Sequence, residues 1–271
     1  GNPFEFKIIS TKAPEVVIEG YADIAKKVYE GPQEDVMVTD DELEAVIKDI
    51  RKTRTQVERA KQAETEGKDL PKPDPTEEIP EEELLPLTDE FVGSLGSFES
   101  VEAFTEQIRD NLKKEKQSKE REKKRAELSE VLIDKAKMEV PKLLIDAELQ
   151  KMEAQFKEDI ARMGMEFDAY LEKIGKSEDD IKEEWKEPAE KRARLQVILN
   201  KIAAEEGLQP SKDEVMQQVE HLLEHYKEAD PRNVRIYVET ILTNEMVYGF
   251  LEDAARPNEA SDPNEKDKKD Q

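Results

Sequence analysis

The stretch "AEKRARLQVILNKIAAEEGLQPSKDEV" (Ala189–Val215) decides the fold. It runs as one long helix to Gly207, a residue that readily takes the left-handed backbone ending a helix. Ser211-Lys212-Asp213-Glu214 then opens another helix as a capping box, in which the Ser oxygen accepts an orphan N–H and the Glu reaches back. A helix, a clean stop and a clean restart inside 27 residues give the grammar of the rest of the chain.

Working upstream, Ser177-Glu178-Asp179-Asp180 caps the helix that feeds into Ala189, and Pro188 is expected to break or kink it. "MGMEFDAYLEKIG" (Met163–Gly175) gives a short helix between glycines. Pro141 suits the first turn of a preceding helix, which carries Leu144, Ile145, Leu149, Met152, Phe156 and Ile160. Downstream, Asp230-Pro231 opens the last helix, with Val234, Tyr237, Val238, Ile241, Leu242, Met246 and Phe250. Further upstream a long helix starts near Ser100 with Val101, Phe104, Ile108 and Leu112 on one face. That stripe vanishes over "KKEKQSKEREKKR" (Lys113–Arg125) and resumes at Leu128, Val131 and Leu132. The run carries eight basic and three acidic residues. It reads as a solvated helix middle laced with i,i+4 pairs rather than as a nucleic-acid patch.

Thr39-Asp40-Asp41-Glu42 is a further capping box, and Leu43, Val46, Ile47, Ile50 and Val57 mark the helix behind it to about Ala63. Before it, "FEFKII" (Phe4–Ile9) alternates as a half-buried strand and "EVVIEGY" (Glu15–Tyr21) offers a second. Two such strands cannot stand alone. After it comes "DLPKPDPTEEIPEEELLP" (Asp69–Pro86), with five prolines, which reads as an extended, solvated acidic linker.

Composition sets the limits. Of 271 residues, 41% are charged and 36% hydrophobic, against about half apolar and a quarter charged in a compact globule. The net charge of −24 opposes nucleic acid and anionic membranes as general partners. Without cysteine there is no disulfide framework, thiolate site or Cys nucleophile. The absence of cysteine fits a reducing cytosol, and no apolar run long enough for a membrane span and no signal peptide are found. His221 and His225 stand four apart, but Leu222 departs from the His-Glu-x-x-His pattern, so they read as surface histidines. Acid pairs such as Glu183–Glu184 and Asp179–Asp180 fall on capped turns. Neither a phosphate loop nor a nucleophile elbow is present. No catalytic, metal or cofactor residue is expected. Met138, Met152, Met163, Met165, Met216 and Met246 all follow the linker, together with Phe156, Phe167, Tyr170, Trp185 and Phe250. Singly each suits a core; together they resemble the adaptable surface of a promiscuous binder.

"LTDEFVGSLGSFESVEAFTEQIRDNL", "EVPKLLIDAELQKM", the Ala189–Val215 stretch and "YVETILTNEMVYGFL" resemble, in order and spacing, the C-terminal domain of bacterial trigger factor, the ribosome-associated folding chaperone. The resemblance spans roughly Leu87–Ala255, and "PFEFKIISTKAPEVVIEGY" is similar to the final strands of that family's N-terminal domain. It implies an elongated, mainly α chaperone domain with two arms, Pro141–Gly207 and Leu208–Ala255, plus a small β remnant. The implied divisions are 1–36, end of a ribosome-binding-type domain; 37–65, connecting helix; 66–86, linker; 87–255, substrate-binding domain; 256–271, disordered tail.

The family's docking loop would lie before Gly1, and its FKBP-type prolyl isomerase domain would lie where the linker stands, so no enzyme is expected here. The implied activity is ATP-independent binding of exposed apolar segments in nascent or unfolded polypeptides. The ribosome is a partner only through the loop outside this chain, and no cofactor is implied. The implied client contacts are Met152, Phe156, Ile160, Met163, Met165, Phe167 and Tyr170 on the first arm, with Leu222 and Tyr237 on the second. The alternatives are a periplasmic chaperone of related helical architecture and a non-catalytic helical scaffold.

Overall fold

The structure, a computed structural model, describes residues 12, 14–32, 36–65 and 78–255. The described residues form nine α-helices: α1 (Tyr21–Tyr29), α2 (Asp40–Thr65), α3 (Asp89–Leu95), α4 (Val101–Lys135), α5 (Lys142–Arg162), α6 (Phe167–Ile174), α7 (Glu178–Glu206), α8 (Lys212–His225) and α9 (Pro231–Ala255). The mainly α class therefore holds.

The helix boundaries follow the chemistry of their ends. Thr39 Oγ1 accepts the Glu42 N–H at 3.3 Å, while Glu42 Oε2 accepts the Thr39 N–H at 2.9 Å. Ser177 and Asp180 make the same reciprocal pair at the start of α7. Ser211 Oγ accepts the Glu214 N–H at 3.2 Å to open α8. Gly207 ends α7 with φ at 66°, where a side chain would be strained.

Several expectations need correcting. Among the described residues, "EVVIEGY" makes only one antiparallel bridge, Val17 to Lys137, before Gly20 turns left-handed and starts α1. Tyr21, Ile24, Ala25, Val28 and Tyr29 recur at helical spacing, and burial of that face outweighs the β propensity upstream. "FEFKII" lies outside the described residues. Pro188 does not break α7, which is continuous from Glu178 to Glu206. The missing N–H costs about 3 kcal/mol, and buried Ile181, Ala189 and Ala193 on either side offset it.

The helices divide into two compact units. One comprises residues to Pro32 and from Lys124 onward, with α1, the end of α4, and α5 to α9. Its core joins Ala25 and Val28 of α1, Leu128 and Leu132 of α4, Ile198, Leu199 and Ile202 of α7, and Val247 and Leu251 of α9. Each buried aliphatic contributes on the order of 1.5–3 kcal/mol. Tyr21 Oη also donates to Glu206, tying α1 to the end of α7.

That hydrogen bond, with burial and the nearby acids adding to it, pushes the Tyr21 phenol up to about 12 from 10. The folded state thus favours the neutral phenol. The contribution is complete below pH 10 and is lost as pH rises from 10 through about 12. Tyr21→Phe is therefore expected to flatten the fall in stability across that window. Denaturant titrations at pH 9 and 11.5 test this, and equal losses in both proteins refute it.

The other unit, Gln33–Lys123, holds α2, α3 and the first part of α4 around Leu43, Ile47, Phe91, Val92 and Phe104. Here the described end of the acidic segment differs from the solvated linker expected, while residues 66–77 of that linker and the tail 256–271 lie outside the described residues. Residues 78–86 dock on α2, with Ile79 and Leu84 each 6% exposed. Thr55 Oγ1 accepts the Leu85 N–H at 3.0 Å, and Arg51 Nε donates to the Leu85 carbonyl at 2.8 Å. Glu81 pairs with Arg51, and Glu83 pairs with Arg59 at 2.7 Å. Acid density disguised two apolar anchors. The basic run on α4 is likewise not all solvated. In this unit Lys116 reaches the Met37 carbonyl and Glu42, each at 2.8 Å. In the first unit Lys124 is 3% exposed and donates to the Val28 carbonyl at 3.0 Å, closing the end of α1.

Candidate functional site

α5 and α7 run antiparallel, joined through Met163-Gly164-Met165, α6 and the left-handed Gly175. At the α6 end the aromatic side chains converge on Phe156. Its ring meets Phe167 at 6.1 Å, Tyr170 at 5.6 Å and Trp185 at 5.1 Å, with interplanar angles of 82–90°. Edge-to-face pairs of this kind add about 0.5–1.5 kcal/mol each beyond area burial. Beside them, Glu153 and Lys157 on α5 interlock with Glu178 and Lys182 on α7. The hydrogen bonds from Lys157 and Lys182 hold the Glu153 carboxyl below its usual range.

Towards the other end of the hairpin, α7 lies between two grooves. One, of about 790 Å³, is walled by residues 14–17 and by Leu144, Ala147 and Lys151 of α5, over Ala193 and Val197 of α7. The other, of about 750 Å³, is bounded by α5 and α9 over Leu195 and Leu199 of α7. Ile236, Tyr237 and Ile241 line its α9 wall and are 62%, 59% and 41% exposed. Gln196 and Asn244 exchange side-chain hydrogen bonds at 3.0 and 3.1 Å between α7 and α9. The second groove is thus an accessible apolar trough with an amide pair between its helices. Volumes of this size suit several side chains of a guest.

The bacterial trigger factor C-terminus family model matches residues 100–254, more than half of the chain. The chain belongs to the trigger factor family. It is 33% identical to the trigger factor of Bacillus pumilus over 150 residues, 55% of this chain and 35% of that protein. It is 26% identical to that of Alkaliphilus oremlandii over 151 residues, 56% of this chain and 35% of the relative. A solved structure described under promiscuous substrate recognition in folding and assembly activities of the trigger factor chaperone is similar at 19% identity. It covers 63% of this chain and 43% of that one, with a TM-score of 0.36. The chain spans about a third of the length of the curated relatives it matches. The matched part is the trigger factor C-terminus, not an isomerase domain.

The residues expected to contact clients scatter. Phe156, Phe167 and Tyr170 form one half-buried cluster, and Ile160 is 0% exposed. These four serve the packing of the α5–α6–α7 hairpin. Met152, Met165 and Leu222 are half-buried, whereas Met163, at 61%, and Tyr237 are open to solvent. Only Tyr237 lies in the second groove. Sequence reasoning did not single out Leu195, Leu199, Ile236 or Ile241, which line the second groove. A signal existed: α9 carries apolar residues beyond the single stripe that buries Val238, Val247 and Leu251. Among the described residues no group of three or more potential metal ligands occurs, and no helix is long and apolar enough to cross a membrane.

Proposed function

We propose that this chain is an ATP-independent chaperone of the trigger factor type, binding exposed apolar segments of unfolded or nascent polypeptides in the cytoplasm. The observation that carries the reading is the groove between α5 and α9, where Ile236, Tyr237 and Ile241 stay exposed on a helix that has already buried its core face. An apolar surface left open at this cost in a protein of net charge −24 is a binding surface kept soluble by its surroundings. Burying about 400 Å² of apolar client surface gives on the order of 10 kcal/mol gross. Association and ordering costs of similar scale leave reversible, roughly micromolar binding. Clients are therefore released to fold.

The triple substitution Ile236→Ser, Tyr237→Ser, Ile241→Ser is expected to weaken suppression of aggregation of a reduced, unfolded test protein several-fold. No nucleotide is needed, and helicity should remain unchanged. Light scattering with circular dichroism on the same samples decides it. Full suppression by a folded triple variant removes this groove from the client surface.

In this reading the chain binds its clients without isomerising prolyl bonds, because residues 66–86 offer no room for a β-rich isomerase domain. A proline-limited refolding assay should run at its spontaneous rate with this chain present, and catalytic acceleration refutes the assignment. No part of these 271 residues is proposed to dock on the ribosome. Of the basic run on α4, Lys116, Lys124 and Arg125 are already engaged within the protein.

A further inference from the structure

The chain has two histidines, and they stand together: His221 and His225, one turn apart at the end of α8. Both are exposed, with ring centres 5.0 Å apart and ring planes at 72°. That distance is informative. A metal ion bound by one nitrogen of each ring at about 2.0–2.1 Å sits roughly 3.2 Å from each ring centre. The two centres then lie roughly 4.5 Å apart for a right-angle chelate and roughly 5.2 Å apart for a tetrahedral one. The observed spacing falls between these limits, so the i, i+4 placement sets both rings within reach of one ion.

We propose that His221 and His225 form a two-imidazole chelate for a borderline first-row divalent ion such as Zn²⁺ or Cu²⁺. Imidazole nitrogen selects this class, whereas Mg²⁺ and Ca²⁺ take oxygen ligands. With no third protein ligand grouped around the pair among the described residues, water fills the remaining positions. The order of divalent affinities then places Cu²⁺ above Zn²⁺. An ion clamped at i and i+4 pins the last turn of α8, where Tyr226 N–H donates to the Leu222 carbonyl at 2.9 Å.

The many acids of the chain bind metals weakly anywhere, so the test must read the two rings themselves. Proton NMR of the intact chain at pH 7.5 resolves two imidazole C–H sets. With Zn²⁺ up to threefold excess, both sets should move together and saturate near one ion per chain, and equal Mg²⁺ should move neither. In His225→Gln the His221 signals should need at least tenfold more Zn²⁺, and His221→Gln should do the same to His225. Rings that stay unmoved in the wild-type chain overturn the proposal. So does a single-histidine variant that titrates like wild type.

Discussion

Phe156→Ala loosens the α5–α6–α7 hairpin by about 3 kcal/mol, the scale of a large-to-small change at a packed aromatic position. Phe156 is the one ring that meets Phe167, Tyr170 and Trp185 together, so its removal breaks three edge-to-face pairs at once. The site is half-buried rather than sealed, which keeps the expected cost at the lower end of the range for Phe→Ala. Ile160, one turn away on the same helix, is fully buried. Trp185 is the single tryptophan, which makes the loss directly visible. Its emission should shift to the red, and proteolysis near Met163–Met165 should accelerate, before the core around Ile198 and Leu251 yields. Phe156→Leu should fall between. An unchanged Trp185 spectrum with stability within about 0.5 kcal/mol of wild type, the usual scatter of surface substitutions, would show that the cluster carries no stability.

The same substitution separates two readings of one residue. Phe156, Phe167 and Tyr170 look like client contacts when read as aromatics on separate helices. In the folded chain they face one another across the α5–α6–α7 turn. Aggregation assays on Phe156→Ala would therefore report the integrity of the hairpin, while the α9 triple variant reports the groove.

What was legible in the sequence was whatever depends on neighbours along the chain. The reciprocal caps at Thr39 and Ser177, the Ser211 cap, the stop at Gly207 and the start at Pro231 are local bargains between side chain and backbone. They are found where the residues place them, although at Ser211 the structure records only the serine half of the expected capping box. What was not legible depends on long-range partners. Lys124 reads as one more solvated lysine until the end of α1 arrives to take its ammonium group. Ile79 and Leu84 read as isolated apolar residues in an acidic run until α2 covers them. The second groove is harder still to read, because an exposed Ile236 and a buried Val238 are the same kind of residue two positions apart.

Arg125→Met should destabilise the unit containing α9 by about 3 kcal/mol, the lower end for removing one partner of a buried ion pair. Arg125 closes the basic run of α4, yet its side chain is only 15% exposed. Nε donates to Glu252 at 2.7 Å, Nη1 donates to both oxygens of Glu245 at 2.9 Å, and the guanidinium lies 4.9 Å from the centre of the Tyr248 ring. Tyr248 in turn meets Ser129 Oγ at 2.6 Å, so α4 and α9 are joined by charge, ring and hydroxyl together. Glu245 is more than half exposed and rehydrates readily when the arginine goes. Glu252, at 16%, rehydrates less readily; the Tyr29 hydroxyl still donates to it at 3.3 Å, but its charge loses the arginine that balances it, and that loss carries most of the cost. Adding Glu252→Gln to Arg125→Met should therefore recover part of the loss, which a double-mutant cycle measures directly. Arg125→Lys should remain below wild type, since an ammonium cannot reproduce the planar fork that engages both carboxylates and lies over the ring. Denaturant unfolding followed by helical circular dichroism provides the four stabilities. A strictly additive cycle, or an Arg125→Met variant as stable as wild type, would mean that α9 is held by its apolar face alone.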